Sequence, residues 1–348
     1  MRNLIETVEV MDNMMKYETV LTKDYSNMMK GVAVLLMIIH HAWGFPCRIP
    51  ELHILHVEEQ IGTASKICVS IFMFLSGYGL YYTFNRNSSI HLEKRLKAIY
   101  ERFWKVFFVF VPLGFLFFDR TFHLQEFLLN LFCVDYSYNR EWWFMGTYIE
   151  LLLVLPLVLR LDTKKYFLVA VLLVAIALRF LSGFFELNSG VANSHVHQLF
   201  YYFPVFYLGL FFSKYSCFER FQRITCNSLI GCVVCVIMTA IAYVIRSKWD
   251  ITEMTILMTP LFIYLFVVFF RLIGNVNKVF LFFGKHSMNM WLIHSFFCYY
   301  YFQKEMLMVS NNAIVDYVLL VVVSLVSSVM VDWMWRGIYK GVMLISKK

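Results

Sequence analysis

Charge is scarce in this sequence. Asp, Glu, Lys and Arg make up 16% of its 348 residues, where a soluble domain carries about 25%. Apolar side chains fill the gap: 60% of residues are hydrophobic, 19% are aromatic, and mean hydropathy is +0.64. That balance excludes a soluble globular domain and predicts a polytopic membrane protein, for which lipid is the solvent. The stretch up to Asn27 is polar and lacks a short apolar run with a cleavage site, so no cleaved signal peptide is expected. Internal repeats and low-complexity tracts are also lacking. The eight cysteines are scattered. Cys232 and Cys235 form a C-x-x-C inside the apolar run IGCVVCVIM, which reads as two small core residues and not as a zinc or redox pair. No metal site is expected. Cys47 and Cys133 both fall in loops assigned to the outside, and whether they pair is open at this stage.

Ten apolar spans can be drawn, at 28–46, 67–84, 104–118, 141–160, 166–186, 197–213, 227–246, 254–271, 281–302 and 314–333. The expected fold is all-α, one ten-helix membrane bundle. It comprises a cytoplasmic N-terminal tail (1–27), a transmembrane domain (28–333) and a cytoplasmic C-terminal tail (334–348). Alternate loops differ sharply in basic residues. The set containing the N-terminal tail, the 85–105 loop and the C-terminal end holds roughly three times the Lys and Arg of the other set, which places both termini in the cytoplasm. The sparser outer set is Arg48, Lys66, Arg120, Arg140, Arg246, Lys248 and Lys304. Topology thus accounts for most of the net charge of +8, and no nucleic-acid partner is needed. Between the third and fourth spans, EFLLNLF is too short to cross and reads as an interfacial or re-entrant helix. Trp142 and Trp143 follow it, where an aromatic belt would lie.

The first span, KGVAVLLMIIHHAWGFP, carries the strongest functional signal. Ionisable side chains deep in a membrane helix are costly and mark function. Lys30 and His41 are eleven positions apart, about three full turns, so they share one helix face at a separation of roughly 16 Å. Val34 and Met37 occupy the face between them. His40 projects about 100° away and is expected to hydrogen-bond a neighbouring helix.

Other residues are read with two explanations held open. Ser70, Met73 and Gly77 share a face of the second span, which suits close helix packing or a ligand. The basic loop NRNSSIHLEKRLKAIYERFWK fits either positive-inside bias with anionic lipid or a phosphate site. Glu150 in the fourth span and Arg179 in the fifth lie at similar depth, as an ion pair between neighbouring helices or as part of a substrate cavity. In the ninth span Ser287, Trp291, His294 and Tyr301 recur on one face, with Lys285 near the cytoplasmic start. This repeats the first span: a cation at the entrance and an imidazole farther in.

These stretches together resemble the acyltransferase-3 family of bacterial membrane acyltransferases. Lys30-Gly31 with His41 is similar to the family's Arg/Lys, ten residues, His motif. Ile71-Phe72-Met73-Phe74-Leu75-Ser76-Gly77-Tyr78 resembles its F-x-F-L-S-G-Y segment, and Lys94-Arg95-Leu96-Lys97 its R-x-R patch. Trp142-Trp143-Phe144 with Tyr148, Gly284-Lys285-His286-Ser287, and Trp291-Leu292-Ile293-His294 complete the series over residues 28 to about 302. Lys30 and Lys97 stand where Arg is usual, His286 replaces Asn and Trp291 replaces Tyr. Lys is a poorer bidentate ligand for phosphate than Arg.

The resemblance implies a multi-pass protein of the bacterial plasma membrane. It would take an acyl group, most simply acetyl, from cytoplasmic acyl-CoA and pass it to a hydroxyl of a surface polysaccharide or lipid-linked glycan outside. Acyl-CoA is then a donor substrate, with no tightly bound cofactor. His41 is the expected catalytic base. Lys30, Arg95, Lys97, Ser76, Glu150, Lys285, Ser287 and His294 are the expected substrate-binding residues. The other reading is a permease for a small polar solute or glycan, with the histidines and Glu150 as a proton relay. The lack of an inverted repeat and the basic cytoplasmic loop favour the transferase.

Overall fold

The computed structural model describes residues 19–49, 54–162, 164, 166–189, 195–225, 228–249, 254–307, 310 and 312–345. Most of the expected N-terminal tail (1–18) and the last three residues of the C-terminal tail lie outside the described residues, as do Arg2, Lys16, Lys165, Lys347 and Lys348. The described residues are helical and contain no strand. The helices are α1 (Lys23–Trp43), α2 (His56–Ala64), α3 (Ile67–Asn87), α4 (Leu92–Phe117), α5 (Leu124–Leu131), α6 (Trp143–Leu161) and α7 (Phe167–Ser189). They continue with α8 (His195–Lys214), α9 (Cys217–Thr225), α10 (Ser228–Trp249), α11 (Met254–Leu272), α12 (Asn277–Ser295), α13 (Gln303–Leu307) and α14 (Ala313–Ile345). A helix stands at each of the ten predicted spans. By length and composition 5 segments among the described residues could cross a membrane: His56–Asn87, Arg140–Leu161, Ser228–Ile245, Met254–Leu272 and Ala313–Tyr339.

Three expectations change. The basic 85–105 stretch is not a loop: the chain turns at Ser88 and His91, both with positive φ, and helix α4 begins at Leu92. The third span is therefore the second part of a 26-residue helix whose first turns carry Arg95 and Lys97. The ninth span is not one straight helix. α12 ends at Ser295 and a π turn, Phe296–Tyr300, follows, closed by the Tyr301 N–H donating to the Phe296 carbonyl at 2.8 Å. The extra residue in that turn rotates everything after it, so Tyr301 leaves the face of Ser287 and His294. Trp142 is not an interfacial belt residue: it is 1% exposed, and its indole N–H donates to the Leu292 carbonyl at 3.0 Å. α14 continues as helix through residues 334–345. The short helix expected at EFLLNLF appears as α5, with Leu124 and Leu128 exposed. Cys47, Cys133, Cys232 and Cys235 are all free thiols.

Packing divides the chain into two compact units. The first is drawn from the residues up to Ala33, Val69–Ile90 and Leu151–Gly284. Lipid is as apolar as leucine, so helices in a membrane associate through close contact of small residues and not through hydrophobic burial. That is how α3 and α8 meet. A Cβ on Gly77 would strike the Phe206 carbonyl oxygen, and a Cβ on Gly209 would strike the Phe74 carbonyl oxygen. The early turns of α1 and α12 touch in the same way, Gly31 against Phe280 and Gly284 against Asn27. The unit also buries an ion pair, Lys214 to Asp162 at 2.5 Å.

The second unit comprises Val34–Cys68, His91–Glu150 and Lys285–Lys348. Its core is aromatic. Phe103 meets Trp142 edge-on with ring centres 4.9 Å apart, and Phe110 stacks on Phe296 at 4.9 Å. Such pairs add about 0.5–1.5 kcal/mol beyond their buried area. The Tyr301 hydroxyl donates to the Phe110 carbonyl at 2.9 Å, tying α4 to the end of the π turn. Around this core lies a set of buried polar groups.

Candidate active site

The site is built where α1 ends. Helix continuation fails at Gly44-Phe45-Pro46, since proline cannot extend a helix and restricts the residue before it. The carbonyls of the last turn have no partners within the helix and need them from elsewhere. The His40 carbonyl takes the Gly44 N–H at 2.9 Å. The His41 carbonyl takes the Tyr299 hydroxyl at 2.7 Å and the Cys298 thiol at 3.5 Å. Both of these donors belong to the π turn. Without the turn's extra residue they would point elsewhere.

The two adjacent histidines have different neighbours. His40 is buried, and its Nδ1–H donates to the Gly62 carbonyl of α2 at 2.8 Å. That is the helix-tethering role its phase predicts. His41 is half-buried, and its ring centre lies 4.8 Å from that of His294 on α12. The phase argument therefore selected the histidine that faces the second imidazole.

The hydrogen-bond pattern assigns the His41 tautomer. The single Tyr299 hydroxyl proton is directed to the His41 carbonyl. Its oxygen then stands 3.2 Å from His41 Nδ1 as an acceptor, so Nδ1 carries the hydrogen. Nε2 is left with a free lone pair, and it makes no hydrogen bond among the described residues. His294 is arranged alike. Its Nδ1–H donates to the Trp291 carbonyl at 2.7 Å, and its Nε2 is buried without a partner among the described residues. Two neighbouring imidazoles each present a proton-accepting nitrogen. That is what removal of a proton from a hydroxyl requires.

A carboxylate supports the pair. Glu141, just before α6, is 5% exposed. It accepts from Arg48 Nη1 at 2.6 Å and from the Tyr300 hydroxyl at 2.8 Å. The Arg48 guanidinium sits 3.5 Å above the Tyr299 ring, and its backbone carbonyl takes a hydrogen bond from Gln303 at 3.0 Å. The result is a continuous chain, Glu141 to Arg48 to Tyr299 to His41. Behind it Asn139 and Ser295, both fully buried, exchange hydrogen bonds at 2.7 and 3.0 Å and anchor the strand of chain that carries Glu141.

Of the residues expected from sequence, the structure brings His41 and His294 together. Glu150, Lys285, Ser287, Arg95 and Lys97 belong to the same unit. Lys285 and Lys97 are exposed, Arg95 and Glu150 are half-buried and Ser287 is buried. Lys97 reaches Glu101 at 3.9 Å, an exposed pair that contributes little. Lys30 and Ser76 fall in the other unit. The Ser76 hydroxyl donates to the Phe72 carbonyl of its own helix at 2.7 Å. Arg179 is also in that unit, with its guanidinium 2.9 Å above the Tyr201 ring. Sequence reasoning missed Glu141, Arg48, Tyr299 and Tyr300. Glu141 lies between Arg140 and Trp142 and reads as a surface charge, and Arg48 reads as one more outer-loop cation. The tyrosines were hidden by the π turn.

The acyltransferase-3 family model, described as an acyltransferase domain, matches residues 23–333. The chain belongs to this family, and it is a membrane acyltransferase. Neither a curated protein nor a solved structure matches it.

Proposed function

We propose that the protein transfers an acyl group, most simply acetyl, from acyl-CoA to a hydroxyl of a glycan outside the bacterial plasma membrane. The observation that carries this reading is the Tyr299 hydroxyl spanning the His41 carbonyl and Nδ1 beside His294, from which a lone pair at Nε2 follows. In this reading Nε2 takes the proton of the acceptor hydroxyl. The alkoxide oxygen attacks the thioester carbonyl, the carbon–sulfur bond breaks, and CoA leaves as a thiolate. The imidazolium returns the proton to that sulfur, so the base is regenerated with no other reactant. Lys30, Arg95, Lys97 and Lys285 are the proposed ligands of the CoA phosphates, which suits their charge. Ser76 and Ser287 are assigned to substrate binding on the resemblance, and Glu150 on its place as an intramembrane carboxylate of the fourth span. Ten crossings with both termini in the cytoplasm are part of the same proposal.

The test is label transfer. The purified protein in liposomes is given acetyl-CoA radiolabelled in the acetyl group, together with an oligosaccharide acceptor. Label should appear on the sugar as an alkali-labile ester. Arg95→Ala should raise the KM for acetyl-CoA and leave the KM for the sugar unchanged. Movement of sugar across the membrane without covalent transfer would overturn the proposal in favour of a permease.

A further inference from the structure

Positive charge is depleted on the outer side of membrane proteins, yet two of the outer arginines, Arg48 and Arg120, stand against adjacent tyrosines of one segment. Arg48 stacks on Tyr299. Arg120, at the end of α4, holds its guanidinium 5.7 Å from the Tyr300 ring centre, 5.6 Å from that of Tyr301 and 5.6 Å from that of Tyr138. Arg140 joins through its backbone N–H, which donates to the Tyr300 hydroxyl at 2.9 Å. Glu141 neutralises Arg48. Arg120 is half-buried among the three tyrosines and has no ion pair among the described residues. Beside it the Tyr138 hydroxyl is buried with no hydrogen-bond partner among the described residues. A guanidinium recessed among aromatic rings gives up hydration. Cation–π contact replaces part of that loss, but its fork of donors stays available for a planar anion.

We propose that Arg120 recognises an anionic group on the acceptor, a carboxylate or phosphate carried by an acidic glycan. The position fits: Tyr300 bridges Arg120 to the Glu141–Arg48 pair, and Tyr299, next in the chain, touches His41. An acidic sugar anchored by Arg120 would lay its neighbouring hydroxyls along the tyrosines toward Nε2. The inference rests on the transferase reading above and adds the charge class of the acceptor.

The experiment compares two acceptors of equal length, a neutral glucose oligomer and a glucuronic acid oligomer, with labelled acetyl-CoA and the full-length protein in liposomes of neutral phosphatidylcholine. The wild type should prefer the acidic oligomer. Arg120→Gln should raise the KM for that oligomer roughly 10–100-fold, the range for losing a hydrogen bond to a charged group. It should leave the KM values for the neutral oligomer and for acetyl-CoA unchanged. Arg120→Lys should fall between. A third arm repeats the assay with anionic phosphatidylglycerol added. If Arg120 binds lipid headgroups instead, Arg120→Gln lowers activity on both oligomers alike and only in that membrane, which overturns the inference. Equal use of both oligomers by the wild type also overturns it and leaves the transferase reading standing. Label on neither oligomer, with acetyl-CoA unconsumed, overturns both. Arg120→Lys guards against loss of folding, since it keeps the stem and the cation–π contact.

Discussion

In the unit that holds Gly77 and Gly209, α3 meets α8 and the early turns of α1 meet α12 backbone to backbone at glycines, with one ion pair, Lys214 to Asp162, beside them. In the unit that holds His41, helix ends and turns are tied by side chains: a tyrosine on a carbonyl, a carboxylate on an arginine, an asparagine on a serine. The first arrangement is what association in lipid favours, because small residues gain close contact at no polar cost. The second needs every partner in place, since a buried polar group left unmade is expensive. A membrane protein bears that exposure to error where the polar groups have chemistry to perform. The proposed reaction falls in the unit whose helix ends depend on such polar ties.

The sharpest way to break this comparison is to mutate the two adjacent histidines. His41→Ala should lower acyl transfer by about 10²–10⁴-fold, the range for loss of a general base, with the thermal unfolding midpoint close to wild type. His40→Ala should do the reverse, with transfer retained per folded molecule and a lower midpoint, because the Gly62 carbonyl loses its donor. Equal rate losses in both would mean that helix phase does not choose the base.

Next in size is the half-buried pair. Glu141→Ala leaves Arg48 without its counter-charge, and because Arg48 is 34% exposed the loss should fall below that of a fully buried pair, at about 1–3 kcal/mol in stability. Arg48→Met with Glu141→Gln removes both charges and should recover much of it. Denaturation monitored by tryptophan fluorescence reads the difference. If the double variant is no better than the single one, the pair is not a closed unit.

In the other unit Gly209→Ala tests packing alone. The added methyl meets the Phe74 carbonyl and should cost about 1–3 kcal/mol, as overpacking typically does. The KM for acetyl-CoA per folded molecule should not move. A changed KM with normal stability would show that this glycine serves a ligand and not a helix contact.

The smallest expected effect is Tyr299→Phe. It removes one hydroxyl from the His41 carbonyl and Nδ1, so both tautomers become available and transfer should fall roughly tenfold, in line with one neutral hydrogen bond. The pH profile of transfer should change with it, because the tautomer holding the lone pair at Nε2 is no longer enforced. An unchanged profile with reduced stability would make Tyr299 a packing residue.

The amino-acid pattern alone determined much of this. Apolar periodicity and length located a helix at each predicted span, because a segment in lipid must satisfy its own backbone and has few other choices. The 3.6-residue period separated His41 from His40, and the spacing of Lys285 and His294 pointed to α12 as the companion of α1. What only the tertiary structure decided depends on events that leave little trace in local sequence. The π turn at Phe296–Tyr300 inserts one residue into a helical register, and no composition signal marks it, yet it brings Cys298 and Tyr299 onto the end of α1. Glu141 went unnoticed because its partner, Arg48, is 93 positions away. A long-range pair has no periodicity. The reading of residues 85–105 as a loop failed because a run of cations resembles an exposed connector, whereas Lys, Arg and Glu are good helix formers whose charges can stay in water along one face of α4.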